Sequence, residues 1–165
     1  MARELLLIRH GIAVERGSTA TDEERALTAE GRARTRKVLQ RMEKLDLGCG
    51  PLVSSPLVRA RQTAELALQL GLGDTLSFSE ALAPGQDPMP LLLELLEEPW
   101  KRLGLFGHEP DLSQLASHLL GCSTNSIQIK KAGAVLLELE LPQPEPGSCQ
   151  LRLLLSPKVL LEGKN

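Results

Sequence analysis

Apolar residues occur along this chain in two distinct patterns. Some stand in short unbroken runs, and others recur every three or four positions over longer stretches. The first pattern predicts strands buried on both faces, and the second predicts helices packed over them. Leu5-Leu6-Leu7-Ile8 is such a run, stopped by Arg9, His10 and Gly11. A polar loop over 12–26 follows. Thr28 is then placed to cap a helix carrying Val38, Leu39, Met42 and Leu45 on its apolar side, ending before Gly48. Leu52-Val53-Ser54 is a second short strand. Ser55 and Pro56 read as the cap and first-turn proline of a helix reaching about Leu70, closed by Gly71 and Gly73.

The second half repeats the alternation. Residues 75–79 predict a strand, 84–90 a loop, and 91–98 a short leucine-rich helix stopped by Pro99. Residues 102–107 form a strand running directly into His108. Pro110 then opens a helix with Leu112, Leu115, Ala116 and Leu119 on one face, ended by Gly121. Residues 132–141 and 151–155 are extended, separated by a proline-rich loop at 141–147, and predict an antiparallel hairpin. Strands alternating with helices and finishing in a hairpin give a three-layer α/β/α sandwich around a mixed, mostly parallel sheet.

At 165 residues, this is expected to be one domain spanning 1–165. A net charge of −2, the absence of Tyr and only two Phe and one Trp leave neither a basic surface nor a stacking platform for nucleic acid. The amino-terminal apolar run is too short for a signal peptide or a membrane span. Cys49, Cys122 and Cys149 are odd in number and widely spaced, so they read as reduced thiols of a cytoplasmic protein rather than a disulfide or zinc framework.

Parallel strands end on one edge of a sheet, where open α/β proteins bind ligands. That edge collects Arg9 and His10 after the first strand and His108 after a later one. Arg59 joins them from the first turn of the helix leaving Leu52-Val53. The set suits phosphoryl chemistry: arginine presents a fork of donors to phosphate oxygens, and a helix N-terminus adds backbone N–H groups. A histidine among cations is pushed toward its neutral form, with a ring nitrogen free to attack phosphorus. A metal site on His10 and His108 is disfavoured, because no metal-ligand spacing accompanies the pair and two arginines would repel a divalent cation.

These residues resemble the R-H-G signature of the histidine phosphatase (phosphoglycerate mutase-like) superfamily, and more closely its SixA-type phosphohistidine phosphatases. The likeness continues in Asp22–Thr28 (D-x-x-R-x-L-T), in Ser54–Ala64 with Arg59, in Gly107-His108-Glu109-Pro110, and in Lys131-Ala132-Gly133-Ala134. It implies a metal- and cofactor-independent phosphatase in which His10 is the nucleophile and Arg9, Arg59 and His108 hold the phosphoryl group. The implied substrate is phosphohistidine on a protein such as a phosphotransfer domain. A small-molecule phosphomonoesterase and a non-catalytic phosphate-binding module are the alternatives. Neither nucleic acid nor membrane is an expected partner.

The chain departs from the family in placing Glu109 where Asn usually follows the second histidine; its side chain is expected to turn away from the phosphate. The general acid is not marked by any motif, leaving Glu80 and Asp22 as candidates. The interval between Arg59 and His108 is filled by assigned elements, so no capping subdomain is expected and the site should be open. His118 and Arg61 read as helix-surface residues, Arg25 and Asp22 as a loop ion pair, and 91–96 as core packing.

Overall fold

The computed structural model describes residues 2–162. Six strands, β1 (Arg3–Arg9), β2 (Pro51–Ser54), β3 (Thr75–Phe78), β4 (Arg102–Gly107), β5 (Ala134–Leu139) and β6 (Gln150–Leu155), form one sheet in the order β3-β2-β4-β1-β5-β6. β1, β4, β2 and β3 run parallel; β5 is antiparallel to β1, and β6 to β5. Helices α1 (Ala29–Lys44), α2 (Val58–Gln69), α3 (Met89–Leu95), α4 (Asp111–Leu120) and α5 (Pro157–Leu161) complete the fold. This is the expected three-layer mixed α/β architecture, and no cap covers it among the described residues.

The unbroken apolar run of β1 follows from its central place. Leu5 and Leu7 pack with Leu92 of α3 and with Leu112, Leu115 and Leu119 of α4. Leu6 and Ile8 enter the opposite cluster with Val38, Leu39 and Met42 of α1, Ala64 and Ala67 of α2 and Leu160 of α5. A strand's side chains alternate between faces. With helices on both faces, every position must be apolar. Leu105 of β4, fully buried between β1 and β2, obeys the same constraint.

Several predicted boundaries shift for identifiable reasons. Thr28 caps α1 through a 2.8 Å bond from Gly31 N–H, but the helix stops at Lys44 and Leu45 is 45% exposed. The inward apolar position is instead Leu47, beyond the turn. Pro90 lies in the first turn of α3 rather than in a loop, as proline's missing N–H permits. Two 3-10 turns, Asp22–Glu24 and Glu80–Leu82, and the short α5 carry no periodic signal, and the sequence pattern does not reveal them. The first arm of the hairpin is narrower than 132–141, because the segment before Ala134 turns to meet β1, while the second begins one residue earlier than 151, at Gln150.

α1 seats unusually close to the segment following β1. Ile12 carbonyl accepts from Thr28 N–H at 3.0 Å, and a Cβ on Gly31 would fall 2.2 Å from that same oxygen. Intrinsic propensity favours alanine over glycine in a helix by about 1 kcal/mol. Gly31→Ala should nevertheless destabilise the protein, by about 1–3 kcal/mol as for an overpacked core. Urea unfolding monitored by circular dichroism checks the sign; an increased midpoint would mean that α1 does not depend on this approach.

Candidate active site

The end of β1 is latched from both neighbours. His10 N–H donates to Gly107 O at the end of β4, Arg9 N–H donates to Gly133 O, and Ala132 N–H donates to Arg9 and His10 carbonyls. Gly133 is required by crowding, because a Cβ there would lie 2.8 Å from Lys130 O and 2.9 Å from Leu155 O. The next glycine has a matching reason: a Cβ on Gly11 would meet Thr35 Oγ1 at 2.1 Å. The R-H-G motif thus ends in glycine because α1 packs directly against it.

His10 is 6% exposed, and its Nδ1 lies 2.7 Å from Gly11 O. A carbonyl only accepts, so Nδ1 carries the proton and Nε2 keeps its lone pair. Burial pushes the His10 pKa down to about 3; the bond to Gly11 opposes this, and His108, Arg59 and Arg9 add to it. The carbonyl that fixes the tautomer is itself held in place. Gly11 N–H donates to Thr63 Oγ1 at 3.1 Å, and that hydroxyl donates to Arg59 O at 2.8 Å.

α2 explains why its motif contains these residues. Arg59, Gln62 and Thr63 fall on one face at i, i+3 and i+4. Gln62 Oε1 accepts from Leu27 N–H at 2.8 Å, tying the preceding loop to the helix. Arg59, 4% exposed, donates from Nη1 to Asp22 O at 2.9 Å and from Nη2 to Asp22 Oδ2 at 3.0 Å. Asp22 also accepts from Arg25 Nη1 at 2.9 Å. The Arg25 bond, followed by Arg59, holds the Asp22 carboxyl below its usual range despite some desolvation. The expected Asp22–Arg25 pair is therefore present, and its carboxylate also positions Arg59.

Ser55 corrects the sequence reading. It lies outside the helix: α2 begins at Val58, with Leu57 in the cap position and no side-chain cap. Ser55 Oγ accepts from Leu57 N–H at 3.2 Å and sits 2.8 Å from His108 Nε2. Ser55 thus orients the His108 ring through Nε2. Nothing in the linear pattern separates a capping serine from one that orients a distant ring. The two imidazoles stand 5.2 Å apart between centroids, tilted by 51°. Burial and then Arg59 push the His108 pKa down to about 4, with Asp22 opposing.

Glu109 turns away from the site as expected. Oε1 accepts from Ser113 N–H at 2.9 Å in the first turn of α4, and Oε2 from Ile129 N–H at 3.5 Å. Ile129 O in turn accepts from Arg9 Nη1 at 3.0 Å. Glu109 thus braces the segment that holds Arg9, and its charge partly offsets the lowering of the Arg9 pKa by burial. Arg9 Nε, Arg59 Nε and His108 Nδ1 are buried polar atoms without a hydrogen-bond partner among the described residues.

Two concavities adjoin these residues. One, about 540 Å³, is lined by Asp22, Glu23, Leu57 and Glu80 among others. Glu80 is exposed there, at the start of the second 3-10 turn. The other, about 560 Å³, contains Arg9, Ile12 and several cations. Arg61 is exposed and pairs with Glu65, and His118 is exposed in the last turn of α4. Among the described residues, no three His, Cys, Asp or Glu side chains are grouped to hold a metal ion, and no helix is long and apolar enough to cross a membrane.

Comparison with known proteins gives a consistent picture. The sequence model of the histidine phosphatase superfamily (branch 1) matches residues 5–83. An uncharacterised protein of Picosynechococcus is 38% identical over 164 residues, covering 96% of this chain and 99% of its own. The structure of the protein histidine phosphatase SixA complexed with tungstate aligns with a TM-score of 0.83 at 22% identity, covering 95% of this chain and 99% of that one. A phosphoserine phosphatase of Entamoeba histolytica bound to phosphoserine aligns at 0.73 and 17% identity, covering 96% and 100%. The family-model match over residues 5–83 shows that this chain belongs to the histidine phosphatase superfamily, and the solved structures share its fold over nearly the whole length.

Proposed function

We propose that the protein is a phosphatase acting on phosphohistidine carried by a protein, through a covalent phosphoryl intermediate on His10. The observation that carries this reading is the fixed His10 tautomer: Nδ1 is engaged by Gly11 O, and Nε2 is the remaining nucleophilic atom. Arg9, Arg59 and His108 supply N–H groups for the transferring oxygens, which makes positioning and charge stabilisation the main catalytic resource. In the first step, Nε2 forms an N–P bond as the P–N bond of the substrate breaks, and the departing imidazole takes a proton. In the second, water attacks phosphorus, releasing phosphate and restoring neutral His10.

Asp22 is poorly suited to supply the departing proton, because two arginines stabilise its ionised form. Glu80, exposed on the same groove, remains the better carboxyl candidate. A protonated imidazole is itself a competent leaving group, so the demand on a general acid is small for this substrate. The uncapped architecture supports a substrate attached to a folded domain. A small-molecule phosphomonoesterase is the second reading, supported by the fold shared with the phosphoserine enzyme.

Incubation with labelled phosphoramidate, followed by denaturation, should yield an acid-labile, alkali-stable adduct that maps to His10. His10→Ala should abolish both adduct and turnover; retained turnover would eliminate the covalent route. Binding of phosphate without any labelling or turnover would favour a non-catalytic module. Turnover of a phosphohistidine protein should exceed that of para-nitrophenyl phosphate in kcat/KM, and the reverse order would favour the small-molecule reading. His108→Ala or Arg59→Ala should each lower kcat by about 10²–10³-fold.

Glu80→Gln separates the substrates further. With an aryl phosphate, whose oxygen leaving group needs more help, loss of a general acid costs about 10²–10⁴-fold. The phosphohistidine reaction should be much less affected. Equal losses on both would assign Glu80 a binding role instead.

The pH dependence follows from the depressed histidine pKa values. An unfolded chain titrates its histidines near 6.5, whereas folded His10 and His108 are at about 3 and about 4. Below about pH 6.5 the unfolded state binds protons that the native state refuses, so stability is complete above that value and falls on acidification toward the folded pKa values. Urea midpoints measured from pH 8 to 4 should show this decline. Imidazole ¹⁵N shifts should report His10 as the neutral Nδ1–H tautomer throughout pH 8 to 5; a midpoint near 6.5 would contradict the buried, neutral nucleophile.

A further inference from the structure

The cavity beside Arg9 has a charge pattern that the catalytic chemistry does not require. It is lined by Arg9, Ile12, Arg34, Lys130, Lys131, Ser156, Pro157 and Lys158, with no carboxylate in its wall among the described residues. This occurs in a chain whose net charge is −2. Its cations come from separate segments: the end of β1, α1, the turn before β5 and the start of α5. Arg34, Lys130 and Lys131 make no ion pair among the described residues, and Lys158 has only a 3.9 Å contact with Glu162. The groove containing Asp22 carries the opposite charge, with Asp22, Glu23 and Glu80 in its wall. Arg9 therefore stands in the wall of a basic concavity, and Asp22, which binds Arg59, in the wall of an acidic one.

We propose that the basic concavity is a docking subsite for carboxylate side chains of the phosphoprotein substrate, and that the acidic groove fixes the orientation in which that protein approaches. The proposal rests on the phosphohistidine reading above. A protein surface fits the page better than a second phosphate on a small molecule. A built phosphate site gathers buried, convergent donors, whereas Arg34, Lys130, Lys131 and Lys158 are exposed. Their floor is apolar, from half-buried Ile12 and buried Pro157. Exposed lysines above an apolar floor suit a surface that presents acids around a hydrophobic contact. Like-charge repulsion at Glu23 and Glu80 disfavours the reversed pose, so the two rims set orientation and encounter rate. Such attraction between exposed charges is screened within about 8–10 Å at physiological salt.

The test uses Arg34→Glu, Lys130→Glu and Lys158→Glu combined in the full-length protein. The substrate is an acidic histidine phosphotransfer domain charged with phosphoramidate, with para-nitrophenyl phosphate as the small-substrate control. The triple variant should lose about tenfold or more in kcat/KM on the phosphoprotein, and much of the wild type's salt sensitivity, while retaining wild-type aryl phosphate turnover. Unchanged phosphoprotein kinetics would overturn the subsite. An equal loss on both substrates would also overturn it, assigning the cations to the phosphoryl site itself.

Should the wild type fail to turn over any phosphohistidine protein, that reading fails and the subsite is still tested by inhibition. Poly-glutamate should inhibit wild-type aryl phosphate hydrolysis, or displace a bound phosphate analogue, and should not do so in the triple variant. Inhibition by inorganic diphosphate that depends on the three cations, without inhibition by poly-glutamate, would replace the protein surface with a small polyphosphate as occupant.

Discussion

The hydrogen bond between His10 Nδ1 and the carbonyl of Gly11 is the interaction on which the site depends. It decides which ring nitrogen holds the proton, and so which one can form a bond to phosphorus. That carbonyl belongs to a residue with no side chain, wedged against Thr35 of α1 and hung from Thr63 of α2. Through Thr63 the same tie reaches the backbone of Arg59. His10 and Arg59 are therefore set by one connected framework.

Burial has two opposing effects here. It keeps His10 and His108 neutral, against the tendency of isolated imidazoles to take up protons near pH 6.5. It also costs the guanidinium of Arg9 part of its charge preference, which Glu109 partly restores. The carboxylate that looks unfavourable beside a phosphate site thus has a structural use. By accepting from Ser113 and Ile129, it braces the backbone that Arg9 grips. Asp22 acts in a related way on the other arginine, holding its fork rather than offering a proton.

Much of the fold was legible because the sheet is covered on both faces. That constraint forces continuous apolar runs such as Leu5–Ile8 and leaves their polar stop visible. The ends of such strands are equally legible: Arg9, His10 and His108 stand where apolar sequence breaks, and Arg59 lies in the first turn of a helix. The short elements were not legible, since three to five residues cannot show a period. Leu45 and Pro90 were misplaced for a related reason, because periodicity gives an element's face better than its last turn.

The sequence by itself determined the layers, the edge of the sheet where chemistry collects, and the four side chains gathered there. These follow from local pattern and from the direction of parallel strands. The tertiary structure alone decided how each ring and guanidinium is held. Ser55 serves His108 rather than a helix end, Asp22 binds Arg59 across 37 positions, and Gly11 fixes the tautomer of its neighbour only because α1 and α2 pin it. Hydrogen-bond partners far apart in the chain leave no mark in a linear pattern. The opening stretch could therefore single out His10, while only the packing around it could say which of its nitrogens keeps a free lone pair.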